Sequence, residues 1–191
     1  MKKAALLLII AFTSLCAEAS QSMCTSNVTK ELEACAKENF EDSDKNLNLA
    51  YKDLAEKLSA TDKGILVRAE KEWLADKEST CQSAFDITFP GEEAGIDKWT
   101  CLDQITRART EEIQYLNAGI GALGFYKALD VVPKLYEAGS RDKFISKLTD
   151  AYAKEDNKNW RAYVEDNCKL AVSRVHEDRF ACIARQTFYR Y

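Results

Sequence analysis

From Asn27 to Leu58 the apolar positions Val28, Leu32, Cys35, Phe40, Leu47, Tyr51, Leu54 and Leu58 advance mostly in steps of three, four and seven. That spacing predicts one long amphipathic helix, with Asn27 as its N-cap. Ser59-Ala60-Thr61-Asp62 reads as a short turn carrying a fresh cap. A second helix over about Asp62 to Phe85 then sets Leu66, Ala69, Trp73 and Cys81 on one side. Folding back near residue 60 gives an antiparallel hairpin in which Trp73 lies level with Leu47 and Tyr51, the expected centre of the first core. A polar loop follows over Asp86 to Asp97, with Pro90, Gly91 and Gly95 at its tip. A third helix, about Lys98 to Asn117, carries Leu102, Ile105, Ile113 and Leu116 at helical spacing.

Residues Ala118 to Arg141 hold four of the seven glycines and Pro133, which predicts a short helix between joints. One helix is then expected from about Asp142 to Leu170, with Phe144, Leu148, Ala151, Trp160, Tyr163, Val164 and Cys168, and a last one from about Glu177 to Tyr189. With seven glycines and two prolines in 191 residues, little material remains for a turn-rich β fold. The reading is an all-α, disulfide-stapled bundle built from two helical-hairpin units. Its expected division is a leader at 1–19, a helical domain at 20–117, a linker with a short helix at 118–141 and a second helical unit at 142–191.

The leader is read from Lys2 and Lys3, an apolar run from Ala4 to Ala17, and the small-x-small site Ala17-Glu18-Ala19. The run is shorter than the roughly 20 residues a spanning helix requires, so an exported chain without membrane insertion is expected, periplasmic or secreted. A lipid anchor on Cys16 fits poorly, because Leu15 and Thr13 occupy the lipobox positions that want a small and an aliphatic residue. Cleavage after Ala19 removes Lys2, Lys3, Glu18 and Cys16. It leaves 27 − 2 = 25 basic and 31 − 1 = 30 acidic residues, a net charge of −5, and six cysteines. An acidic surface disfavours nucleic acid and suits a cationic partner.

Six cysteines in an exported chain imply three disulfides, among Cys24, Cys35, Cys81, Cys101, Cys168 and Cys182. The hairpin gathers the first four at the end away from its turn, and their pairing stays open. Cys168 and Cys182, alone in the C-terminal part, are expected to pair with each other. Zinc is a poor competitor, because the chain has no Cys-x2-Cys pair and a single histidine.

Lys71 to Cys81 and Lys158 to Cys168 agree at five of eleven positions, including a Trp-x7-Cys frame. In each half another cysteine follows, Cys101 or Cys182, with an arginine eight residues on, Arg109 or Arg190. The combination reads as two copies of one helical unit. In each, the tryptophan anchors the packing and the cysteine ties its helix to the next.

Catalytic constellations are missing from the pattern. His176 lies between helices beside Arg174, Glu177, Asp178 and Arg179, without the partners a triad or a metal site needs. No phosphate loop follows a strand, and no cofactor is expected.

The span from Cys24 to Leu116 resembles the N-terminal domain of the lysozyme inhibitor LprI family. The resemblance rests on Cys24 and Cys35, on Asp44 with Leu47 and Asn48, on Trp73 with Cys81, and on Cys101 followed by Thr106 and Arg109. Glu70 and Lys71 stand where the family carries Gln and Arg, Asp76-Lys77-Glu78 replaces Tyr-Arg-Asp, and Gly91-Glu-Glu-Ala-Gly95 replaces the Gly-Gly-Ser of the loop. The resemblance implies a non-enzymatic protein that blocks a lysozyme-type muramidase by binding. Such targets are cationic, and Glu92, Glu93 and Asp97 are the expected contacts, with Trp73 and Trp160 as scaffold. The alternative is a structural or adaptor protein of the envelope, which the second unit and the aromatic end Phe188-Tyr189-Arg190-Tyr191 favour.

Overall fold

The computed structural model describes residues 22–190, and the leader with Cys16 lies outside the described residues. Within them the chain is all helical: α1 (Thr29–Lys57), α2 (Ala60–Thr88), α3 (Ala94–Ala118), α4 (Leu123–Tyr136), α5 (Arg141–Ala153), α6 (Lys158–Val175) and α7 (Arg179–Arg190). None of these helices is long and apolar enough to cross a membrane.

The helix ends follow local capping chemistry. Ser59 opens α2, its Oγ accepting from the Asp62 N–H at 3.1 Å. At α1 the cap is Val28 rather than Asn27, and it makes no side-chain cap bond; Ser26 Oγ instead accepts from the Val28 N–H at 3.0 Å. At the far end of α3, Gly119 takes the left-handed conformation (φ 69°) and donates its N–H to Tyr115 O at 2.8 Å, a geometry glycine adopts without a Cβ penalty. The single helix expected over 142–170 is two. Asn157 interrupts it, its Oδ1 accepting from the Trp160 N–H at 3.0 Å and so starting α6 afresh. Gly95, expected in the loop, lies in the first turn of α3, where the Glu33 carboxylate of α1 occupies the space a Cβ would take.

Helix α1 packs chiefly along α3, and α2 along both α3 and α6, while α7 closes against α5 and α6. One apolar cluster runs through all of them. Leu47, Leu54, Leu66, Ala69, Trp73, Ile113 and Leu116 meet Trp160, Tyr163, Val164, Leu170 and Ile183, with Tyr51 packed against the cluster. Between α1 and α2, Lys77 is buried with its Nζ 5.3 Å from the Phe40 ring and 4.7 Å from the Trp73 ring. Burial pushes its ammonium below the usual lysine range.

Three disulfides staple the bundle: Cys24–Cys35 fixes the N-terminal segment to α1, Cys81–Cys101 joins α2 to α3, and Cys168–Cys182 joins α6 to α7. The last is the pair expected from the sequence. The first two resolve what spacing left open, and both lie at the end away from the α1–α2 turn.

Candidate functional site

The connection between α2 and α3 is shorter than its polar composition suggests. Helix α2 runs on to Thr88, and only Phe89 to Glu93 are left outside helix. The turn is closed by backbone bonds, with Phe89 N–H to Phe85 O at 3.0 Å and Gly91 N–H to Thr88 O at 2.8 Å. A Cβ at residue 91 would approach the Thr88 carbonyl oxygen to 2.8 Å, so the tight return depends on glycine. The Phe89–Pro90 bond is cis.

Glu92 and Glu93 are exposed on this turn, and Asp97 stands in the first turn of α3. Asp97 accepts a hydrogen bond from Thr88 Oγ1, so its carboxylate ties the two helix ends together. The residues that the sequence reading passed over are apolar: Ile87 is 86 % exposed and Phe89 63 %. The Phe89 ring stacks on Phe85 with centroids 5.4 Å apart. The only sign of them in the sequence is Ile87 and Phe89 within Asp-Ile-Thr-Phe-Pro, which the flanking acids and glycines mask. Ile87 and Phe89 are thus exposed where α2 runs into the turn that carries the exposed Glu92 and Glu93. Cys81–Cys101, with Cα atoms 5.5 Å apart, holds the two helices immediately behind it.

A second polar cluster is internal. Arg109 of α3 is 1 % exposed and donates through Nε and Nη2 to Glu70 (3.0 and 2.8 Å) and through Nη1 to Asn167 Oδ1 (2.7 Å) and Tyr163 Oη (3.1 Å). Arg185 of α7, fully buried, donates to both Glu112 and Glu177 and lies 4.5 Å over the Tyr115 ring. Asn167 Nδ2 joins the two halves of the network by donating to Glu112 at 2.6 Å. Burial alone would raise the Glu112 carboxyl; the Arg185 guanidinium overrides it and holds the group below the usual glutamate value. Burial pushes the Tyr163 and Tyr126 phenols well up, and Tyr152, bonded to Glu165, up to about 12. These groups are locked in mutual bonds, an arrangement that stiffens a scaffold. His176 is far from this chemistry in kind: it ends α6 in the left-handed conformation (φ 56°) and is exposed.

The family model of Lysozyme inhibitor LprI matches residues 16–113, just over half of the chain. The match covers α1, α2, most of α3 and the turn between the last two, and it denotes a family of inhibitors rather than of enzymes. No curated protein and no solved structure matches the chain.

Proposed function

Because this chain belongs to the lysozyme inhibitor LprI family, we propose that it is an exported periplasmic inhibitor that blocks a muramidase by non-covalent binding. Membership itself supports a lysozyme-inhibitor-like role with a protein partner; the leader pattern and three disulfides support the compartment. The observation that carries the contact surface is the α2–α3 turn, where exposed Ile87 and Phe89 stand beside exposed Glu92 and Glu93 on a disulfide-held frame. The acids steer a cationic enzyme, and the apolar pair supplies the area that leaves water on contact.

The test is hen-type lysozyme activity on cell walls with and without the oxidised mature protein. Dose-dependent loss of activity is expected, weakened by Phe89→Ala. Full activity at micromolar excess of the protein would refute the proposal. A second reading, an envelope adaptor, is favoured by α4, which exposes Leu123, Val131, Leu135 and Tyr136, with Ile120 just before it. A pull-down from envelope extract in which a native envelope protein is the dominant partner, together with no inhibition, decides for the adaptor.

A further inference from the structure

A cavity of about 380 Å³ opens between α2, α3, α6 and α7, within the roughly 300–1,000 Å³ range of small-molecule sites. Trp73, Asp76 and Arg109 line it from the family-matched part, and Trp160, Tyr163 and Arg190 from the C-terminal part. In the Trp-x7-Cys register these six are three equivalent pairs: the two tryptophans, the residues three positions after them, and the arginines eight after the following cysteines. They also meet crosswise. Arg109 lies 5.0 Å over the Tyr163 ring, and Arg190 Nη1 lies 3.6 Å from Asp76 Oδ1. Each half's arginine therefore addresses the other half's residue at the same register position. On the repeat reading, the cavity sits where the two units face one another.

The hydrogen-bonding account of its walls is nearly closed. Every guanidinium nitrogen of Arg109 and Arg185 donates at least one hydrogen bond. Arg190 lies 4.3 Å over the Trp160 ring with Nε 3.2 Å from Glu155, while its buried Nη1 stands 3.6 Å from Asp76 Oδ1, an ion-pair separation too long for a hydrogen bond. An incoming oxygen at hydrogen-bond distance gives this donor the short bond that Asp76 does not supply. The charge around it selects what kind of oxygen. Asp76, Glu111 and Glu112 line the cavity alongside Arg109, Arg185 and Arg190, and Glu70 and Glu155 stand behind the arginines. An anion would meet a surplus of carboxylates, whereas an uncharged acceptor would not. The indoles and phenols supply an apolar wall.

We propose that this cavity binds an uncharged small molecule that pairs an apolar ring face with an amide oxygen, the face against the aromatic wall and the oxygen accepting from Arg190 Nη1. Acetamido sugars and acylated aromatic amino-acid amides share that chemistry.

The test is a fluorescence titration of the oxidised mature protein carrying Trp99→Phe, so that emission comes from Trp73 and Trp160 alone. The probes are chitotriose, N-acetyl-tyrosine amide and benzoate. A saturable change with one of the neutral amides is expected, and the one that binds identifies the source. Arg190→Ala should weaken it about tenfold. Ala108→Trp, which plugs the rim from an exposed position without touching the network, should abolish it. No saturable response to either amide into the millimolar range overturns the proposal, as does tighter binding of benzoate or unchanged affinity in either variant. The readout is independent of lysozyme, so a failure of inhibition and a failure of this site are separate results.

Discussion

Arg109 of α3 lies 5.0 Å over the ring of Tyr163 in α6 and donates to its hydroxyl at 3.1 Å, while its other nitrogens hold Glu70 of α2. One guanidinium thus joins three helices, two from the family-matched segment and one beyond it.

Arg109→Met should therefore destabilise the protein by about 3–5 kcal/mol, the usual cost of stripping one partner from a buried ion pair. Arg109→Lys should recover little, because an ammonium lacks the planar fork with which the guanidinium reaches Glu70, Asn167 and Tyr163 at once. Urea denaturation followed by far-ultraviolet circular dichroism measures both; wild-type stability in the methionine variant would contradict the reading of the network.

Acid should act through Glu112. Its carboxyl is held below the ordinary value of 4.5 in the folded state, so the stability it contributes is complete above that value and is lost as the pH falls through the depressed one. Glu112→Gln should lower stability at pH 7 and flatten the acid limb of the stability profile. Thermal melts of the two proteins from pH 7 to pH 3 compare the slopes; parallel slopes would remove Glu112 from the account.

The three bridges should differ in their response to reductant. Cys168 and Cys182 are both fully buried, whereas Cys24 and Cys35 are both partly exposed. Partial reduction read by mass spectrometry should open Cys24–Cys35 first and Cys168–Cys182 last. Replacing Cys168 and Cys182 together by alanine should cost about 3 kcal/mol, as expected for a bridge spanning 14 residues.

Glu92→Lys with Glu93→Lys should slow association with a cationic lysozyme, with the loss shrinking as salt is raised, and leave the melting temperature unchanged. Stopped-flow or surface-binding kinetics at two ionic strengths measures this. Equal association rates would show that another surface meets the enzyme.

The Trp-x7-Cys frames, the long first helices and the Cys168–Cys182 bridge were all readable from spacing, because apolar periodicity and cysteine count report burial directly. Arg185, Glu112 and Glu177 were not, since a charged residue in a helical pattern is ordinarily assigned to the wet face. Arg109 showed itself only as the tail of a motif. Nor could periodicity reveal the stop at Asn157, whose cap bond to Trp160 is a local event inside a sequence that otherwise scans as continuous helix. The turn followed the same logic in reverse: acids and glycines suggested a long polar loop, yet Ile87 and Thr88 extend α2 because nothing before Phe89 breaks it.

Helix α2 is a party wall. Its apolar side gives Leu66, Ala69 and Trp73 to the cluster that also holds Trp160, Val164 and Leu170, and it packs on α3 and α6 together. A fragment trimmed to the family-matched stretch would expose that side to solvent and strand Arg109 without Tyr163 and Asn167. Anyone seeking the smallest active piece should accordingly prune from the surface of α4, not from the C-terminal end.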